Sequence, residues 1–454
     1  MVSLVAARDM TVKNNANFSS LYFDTLNHET TDGHRLVKTT VNQKIHTAYV
    51  HKVRLPTDEI SYAYYRRYDI ASGVFESEET VMVTGNRSDA EILETAIAAS
   101  SNGEVYIVVS GYDGAYKGFL SLYKIGTDGN VSSLPIWSYS ADEHFFSAEI
   151  LVAPAGIYIA AGYDGNNGPG KLRLFHIDYN SPATGAEVNY PTSMGTSGFI
   201  KSGTRYMSRA QRLILGGDGY IYLSFDWLDQ DDSSIKSASV YKYQPASGHT
   251  VTWGTNYITL KEGYIAHSVS LLPPTVNAGP FQLVFAKKST NTPANTLMTL
   301  EYREYASWAD AVAGVSVNVP TNISAPGIYS PQLGLTADKI QVIQYISQDT
   351  SLSGFPHPEQ ISRASPTSWH PATNEITETK KGVFLHLLPQ IENDQPYMLW
   401  AGGGHNDPNY TEMGDFSVYF AHAPDKIPPW QPAAPSITWV DPGPNSSGNQ
   451  TITV

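Results

Sequence analysis

Apolar and polar residues alternate in short runs along most of this chain, a pattern typical of β-strands rather than helices. One phrase occurs twice, as GEVYIVVSGYDGAYKGFLSLY at 103–123 and as GIYIAAGYDGNNGPGKLRLF at 156–175. Each copy has a turn, a β-branched and aromatic strand, a Gly-rich loop and a second alternating strand. Looser copies lie at 44–69, 216–243, 279–302, 338–347 and 394–420. The pattern therefore predicts a repeated β-sheet unit.

Seven equivalent positions mark the repeats at intervals of 52 to 64 residues: Tyr49, Tyr106, Tyr158, Tyr222, Phe285, Ile343 and Leu399. A further apolar strand precedes five of them, such as ETAIAAS before Tyr106. Blades arranged around an axis bury a core between neighbours and leave only short edges. We therefore predict an all-β fold, a seven-bladed β-propeller of four-stranded antiparallel blades, over residues 1–423. Two β-sandwiches joined near 195–205 would interrupt the spacing, which instead continues across that region.

The ring needs a closing strand. Two segments are candidates, FSSLYFD at 18–24 and SITWV at 436–440. The segment 424–454 is rich in proline and is predicted to be a closing strand or a linker stub.

The amino-acid composition excludes or disfavours several classes of function. Cysteine is absent, which excludes disulfides, thiolate metal sites and cysteine nucleophiles. The formal charge of −14, with 29 Lys and Arg against 43 Asp and Glu, argues against a nucleic-acid partner. No apolar run reaches the length of a membrane span. Few charges and many Tyr, Asn and Thr residues favour an extracellular protein, secreted or surface-associated.

The strands GEVYIV, AGIYIA and DGYIYL resemble those of BNR-type propellers, which include sialidase-like proteins and propeller polysaccharide lyases. The resemblance covers about residues 35–423 and concerns the fold. The sequence contains no Asp-box of the form Ser-x-Asp-x-Gly-x-Thr-Trp, and 88–111 has no histidine of the kind that flanks an early blade in propeller lyases. The active site of neither family can be transferred to this chain.

The segment KSGTRYMSRAQR at 201–212 has four basic residues and no acid. It leads into the predicted inner strand of blade four, so Arg205, Arg209 and Arg212 are candidate ligands for a carboxylate or sulfate. In a lyase that acts on uronic acids, arginine neutralises the carboxylate while His or Tyr exchanges protons. The candidates for that proton exchange are His144, Tyr206 and His267. The alternative is that the arginines are a solvated loop or pair with acids from the neighbouring blade, and that the histidines are hydrogen-bonded structural residues.

Two further motifs contain candidate binding residues. In GGGHNDPNY, glycines let the backbone approach a ligand, so His405 and Asn406 are further candidate substrate-binding residues. In DWLDQDD, the oxygen-rich side chains of Asp226, Asp229 and Asp231 are candidate ligands for a structural calcium ion. Ordinary turns and solvated acidic loops are the alternative explanations.

These features together favour an exported, carbohydrate-active propeller that binds an acidic polysaccharide and acts as a polysaccharide lyase by β-elimination. The alternative is a non-catalytic, lectin-like or receptor-binding module, such as an adhesin or a phage or toxin component, since Tyr, Trp and Asn serve sugar stacking there as well. A structural or protein-interaction propeller without a sugar ligand is a third possibility.

Overall fold

The computed structural model describes most of the predicted repeats. The described residues are 11–13, 28–30, 35–39, 41–54, 59–72, 74–76, 80–86, 90–115, 117–142, 144–164, 171–189, 199–200, 206–229, 235–245, 249–253, 257–260, 264–275, 279–289, 299–317, 322–323, 328–335, 340–347, 357–365, 368–369, 381–384, 390–392, 395–403 and 416–422. Residues 424–454 and the candidates 18–24 and 436–440 lie outside them.

The described strands form seven successive antiparallel groups, which we call units one to seven. The first strand, β1 (Thr11–Lys13), precedes unit one. Unit one contains β2 (His28–Thr30), β3 (Arg35–Thr39), β4 (Lys44–Arg54), β5 (Glu59–Asp69), β6 (Val74–Phe75) and β7 (Thr80–Asn86). Unit two contains β8 (Ala90–Ala99), β9 (Val105–Asp113), β10 (Gly118–Ile125) and β11 (Trp137–Ala141). Unit three contains β12 (His144–Ala153), β13 (Gly156–Asp164), β14 (Lys171–Ile177), β15 (Ala186–Glu187) and β16 (Phe199–Ile200).

The second half of the chain continues the scheme. Unit four contains β17 (Tyr206–Leu215), β18 (Ile221–Asp229), β19 (Ile235–Pro245), β20 (Val251–Trp253) and β21 (Ile258–Leu260). Unit five contains β22 (Tyr264–Leu272), β23 (Phe281–Ser289), β24 (Thr299–Tyr305), the helix α1 (Trp308–Ala313) and β25 (Asn322–Ile323). Unit six contains β26 (Ile328–Leu335), β27 (Gln341–Ser347), β28 (His357–Ser365) and β29 (Ser368–Trp369). Unit seven contains β30 (Lys381–Phe384), β31 (Gln390–Glu392), β32 (Gln395–Gly403) and β33 (Phe416–His422).

The units are arranged in a ring. Each unit is an antiparallel meander in which the long strands pair with one another in sequence order, while short strands such as β7, β16 and β21 pair with a strand two positions earlier. A single bridge between Asp164 and Met207 joins units three and four into one sheet. The first strands contact one another in the order β3, β8, β12, β17, β22, β26 and β31, and β31 contacts β3 again. The all-β propeller predicted from the repeat is thereby confirmed. The count of seven blades stays a prediction, which these seven units support.

The core lies in the junctions between successive units. At the junction of units two and three, for example, Ala96 and Val108 pack with Phe145 and Ala148, all nearly inaccessible to solvent. Similar clusters fill the junctions from units one and two to units five and six. Alternating side chains on a strand therefore face the preceding and the following unit. Within the described ranges, no helix is long and apolar enough to cross a membrane.

Candidate functional site

Five consecutive first strands share a β-bulge near the end at which they begin. In units two to six, one extra residue of the first strand is inserted opposite the second strand. Residues three apart across the bulge therefore pair with second-strand residues only two apart, so both members of a pair occupy one side of the strand. The upper members are Glu91, Phe146, Arg209, His267 and Tyr329, and the lower members are Glu94, Glu149, Arg212, Ser270 and Gln332.

We call these two sets the upper row and the lower row. Because the first strands contact one another around the ring, each row follows the inside of the ring at one level. The rows are separated by two register steps, about 7 Å along a strand. Together the two rows contain acidic, basic and amide residues. Elsewhere the strands mostly contribute apolar side chains to the core.

The lower row places one polar side chain at each of five successive junctions. Side chains alternate between the two sides of a strand, so Glu94 lies on the same side of β8 as Ala96 and Ala98, which pack against unit three. By the same alternation, Glu149 faces unit four and Arg212 faces unit five. Glu94 and Glu149 are buried, whereas Arg212 is partly exposed.

Unit two carries the most acidic part of the rows. Glu91 is buried in the upper row, and the hydroxyl of Tyr112, its partner across the ladder, donates a hydrogen bond to its carboxylate. Glu94 lies opposite Ser110 in the same ladder. The two carboxylates therefore belong to one side of β8 with Cα atoms about 7 Å apart. Glycosidases use two carboxyl groups that lie about 5 to 9.5 Å apart, and side chains on one side of a strand at this backbone spacing can reach such a separation.

Unit four carries the basic part. Arg209 and Arg212 occupy the upper and lower rows, where they pair in register with Asp226 and Ser224. Asp226 is 1 % exposed. The predicted calcium ligand Asp226 thus lies across the ladder from a predicted anion-binding arginine.

The structure brings several predicted site residues to one end of the ring. His144 and Tyr206 are the first residues of β12 and β17, and they pair with Asp164 and Asp229. Asp164 also bridges to Met207, so the first residues of β12 and β17 both lie close to the end of β13. His267 occupies the upper-row position of unit five, where it pairs in register with Ala286.

Other predicted site residues cannot be placed with this group. Arg205, Asp231, His405 and Asn406 lie outside the described residues. The described part of the chain contains no group of three or more His, Asp or Glu side chains suited to holding a metal ion. The calcium site at Asp226, Asp229 and Asp231 stays a prediction.

Glu91, Glu94, Glu149 and Tyr112 are candidate functional residues that the sequence reasoning missed. The first strands do carry a usable signal, because EILE, FSAE, RAQR, HSVS and YSPQ occupy the same register, with the row positions at each end. Aligning the repeats on the first strands rather than on the second-strand anchors would have shown it.

Comparisons with known proteins add no family assignment. No family model matches the chain, and no curated protein matches it. Among solved structures, it is similar to a protein of unknown function from Dyadobacter fermentans, with 9 % identity over 87 % of this chain and 94 % of that one and a TM-score of 0.48. It is similar to a Penicillium chrysogenum α-L-arabinanase, with 13 % identity over 75 % and 96 % and a TM-score of 0.44. It is also similar to a Trypanosoma rangeli sialidase, with 8 % identity over 87 % and 55 % and a TM-score of 0.45. The resemblance to BNR repeats stays a prediction.

Proposed function

We propose that this propeller binds an acidic polysaccharide along the two rows and cleaves a glycosidic bond beside Glu91 and Glu94. The carboxylate pair on one side of β8, with the Tyr112 hydroxyl on Glu91, is the observation that carries the proposal. One carboxyl group can protonate the leaving oxygen while the other acts as base or nucleophile. A hydroxyl bonded to one member gives the two carboxyl groups different environments, which the two roles require.

The distribution of charge suggests how an acidic glycan would lie. Carboxylates occupy the rows in units two and three, whereas Arg209, Arg212 and His267 occupy them in units four and five. An anionic group on the sugar is repelled by the first set and attracted by the second. The acidic sugar would bind towards units four and five, with the scissile bond towards unit two.

β-Elimination is the second candidate reaction, and the position of the basic residues favours it. Arginine at position 209 or 212 could neutralise a uronate carboxylate, and His144, Tyr206 and His267 lie at the same end of the ring as proton carriers. An extracellular location and a structural calcium ion accompany this proposal as untested predictions.

One assay separates the possibilities. The protein is incubated with a panel of uronic-acid and sialylated glycans, and new reducing ends and the absorbance of unsaturated uronates are both followed. Reducing ends without absorbance support hydrolysis, and both signals together indicate β-elimination. Binding to a glycan array without either signal would replace cleavage by a lectin function, and no binding at all would contradict the whole proposal.

Variants locate the site. Glu91→Gln and Glu94→Gln should each lower turnover at least a hundredfold while leaving glycan binding measurable, because an amide cannot exchange the proton. Arg212→Gln should weaken binding of an acidic glycan about tenfold or more. Glu104→Gln is the matched control, since Glu104 belongs to the same unit but pairs with Lys124 beyond the other end of β8.

A further inference from the structure

The peptide group between Glu91 and Ile92 is held from two sides. On one side, the amide of Ile92 donates a hydrogen bond to Ser61 Oγ, in β5 of unit one, at 2.8 Å. On the other side, the carbonyl oxygen of Glu91 lies against Gly111 in β9, where an added Cβ would be only 2.0 Å away. A trans peptide group is planar, and its N–H and C=O point in opposite directions. The two contacts therefore fix the position and the tilt of this one peptide group together.

Ser61 provides an acceptor that the sheet of unit two cannot provide. β8 is the last strand on its side of the sheet, with β9 as its one ladder partner, so the amide of Ile92 points away from the ladder. A buried amide in such a position costs free energy unless it finds an acceptor outside its own sheet. Ser61 is fully buried, and its own hydrogen is directed at the carbonyl oxygen of Gly85 in β7, at 3.5 Å.

This peptide group belongs to the upper-row carboxylate. The direction of the Cα–Cβ bond of Glu91 depends on the peptide groups on either side of it. The 91–92 peptide also begins the bulge that brings Glu91 and Glu94 to one side of β8. The carboxylate of Glu91 is held in turn by the hydroxyl of Tyr112. A rotation of the peptide group would therefore move Glu91 relative to both Glu94 and Tyr112.

The same kind of bond recurs where unit six follows unit five. Ser270 Oγ accepts a hydrogen bond from the amide of Leu333 at 3.0 Å. Leu333 comes directly after Gln332, the lower-row residue of unit six. In both places, a hydroxyl of one unit holds the amide that follows a row residue of the next unit. The position of a row residue thus depends on the unit before it.

We propose that Ser61 is a positioning residue for Glu91, because its hydroxyl holds the 91–92 peptide against Gly111 and thereby sets the placement of Glu91 relative to Glu94. The inference rests on the proposed cleavage beside these two carboxylates. It gives unit one a part in a site whose carboxyl groups belong to unit two. If the bond only stabilised the junction between the two units, its loss would lower stability and leave the turnover of each folded molecule unchanged.

The test compares Ser61→Ala with Thr47→Val in the full-length protein. Thr47 is equally buried in β4, and its hydroxyl donates to the carbonyl oxygen of Arg66 at 3.1 Å, a bond within unit one. Each variant removes one buried hydroxyl of unit one, but only Ser61→Ala releases the 91–92 peptide. Ser61→Ala should lower glycan turnover about tenfold or more with KM within about twofold, because small displacements of a catalytic group cost rate rather than binding. Thr47→Val should keep the wild-type turnover.

Crystal structures of the wild type and both variants give a readout that does not depend on activity. In Ser61→Ala, Glu91 should move by more than about 0.5 Å, the tolerance within which catalytic groups work, and its contact with Tyr112 should lengthen. In Thr47→Val, the 91–92 peptide should superpose on that of the wild type.

Unchanged turnover in Ser61→Ala, or a Glu91 that has not moved, would each overturn the inference. A wild-type protein that cleaves no glycan would contradict the proposed function instead, and the position of Glu91 in the crystal structures would then decide the role of Ser61 alone. Thermal unfolding establishes whether Ser61→Ala is folded. If it is not, Ser61→Cys, which keeps a weaker acceptor of similar size, should lower turnover to a smaller extent, and wild-type turnover there would equally contradict the inference.

Discussion

Gly156 has a backbone conformation and a neighbourhood that only glycine fits. Its φ of +140° lies outside the range that L side chains readily adopt, and an added Cβ would lie 2.3 Å from His176 Nε2 and 2.7 Å from the carbonyl oxygen of Ile177. Gly156→Ala should therefore lower the free energy of unfolding by about 2 to 5 kcal/mol, from backbone strain and overpacking together. Urea denaturation measures it.

Gly219 provides the matched control, since its φ is +79° but an added Cβ would meet nothing within 4 Å. Gly219→Ala should cost only the backbone strain, about 1 to 2 kcal/mol. Equal losses in the two variants would show that space at Gly156 is unimportant.

His46 is a second residue whose environment sets a measurable property. Burial lowers its pKa to about 3, and the positive charges of Arg67 and Lys44 act in the same direction. Its ring is held by Thr39 Oγ1 at 3.2 Å and by the Tyr65 hydroxyl at 2.7 Å. In the unfolded chain the pKa returns to about 6.5, so the unfolded state binds the proton more readily.

The stability of the folded protein should therefore depend on pH through His46. The contribution of His46 to stability is complete above pH 6.5 and is lost progressively as the pH falls from 6.5 towards 3, with a total on the order of 5 kcal/mol. His46→Gln, which cannot titrate, should flatten the decline of the urea midpoint between pH 6.5 and pH 4. A decline as steep as that of the wild type would show that other groups cause it.

At the scale of elements, buried serines connect neighbouring units at the bulges. Ser61 Oγ accepts a hydrogen bond from the amide of Ile92 at 2.8 Å, and Ser270 Oγ accepts one from the amide of Leu333 at 3.0 Å. Ser224 Oγ donates to the carbonyl oxygen of Val269 at 2.8 Å. Val269 lies within a bulge, and Ile92 and Leu333 lie at or next to one, so these hydroxyls bind backbone groups close to the irregular part of each first strand.

Ser270→Ala should therefore destabilise the protein by about 1 to 3 kcal/mol, because the buried amide of Leu333 loses its acceptor. Ser110→Ala is the control. The Ser110 hydroxyl is equally buried, but among the described residues it has no hydrogen-bond partner, so its removal should cost little. If the two variants unfold at the same urea concentration, the bonds between units contribute nothing measurable.

The sequence predicted the positions of the strands better than it predicted the positions of the β-bulges within them. All seven anchors, from Tyr49 to Leu399, lie in second strands, because turn residues and alternation are local signals. The segment SAEILVA likewise falls within the first strand β12, and ETAIAAS falls within β8 except for its last residue, Ser100. Bulge positions, in contrast, depend on which residues of two strands face each other. The rows were therefore only partly found, through Arg209, Arg212 and His267, while Glu91 and Glu94 were missed.

At the scale of the whole molecule, the ring is completed by a strand that the pattern did not single out. β1 pairs with β33, joining Thr11 to His422 and Lys13 to Phe420, so the amino-terminal part of the chain supplies the outer strand of unit seven. Three residues with the sequence TVK are too few to give a periodic signal. The position of these three residues is determined by their pairing with the edge of β33.

This closure should stabilise the ring as a whole. Removing residues 1–13 exposes the edge of β33 and separates the two ends of the chain, so the thermal midpoint should fall on the order of a few degrees and aggregation on heating should increase. Removing residues 1–9 leaves β1 in place and should preserve both properties. Light scattering during thermal unfolding measures them together. Identical curves for the two truncations would show that the contact between β31 and β3 is sufficient to hold the ring closed.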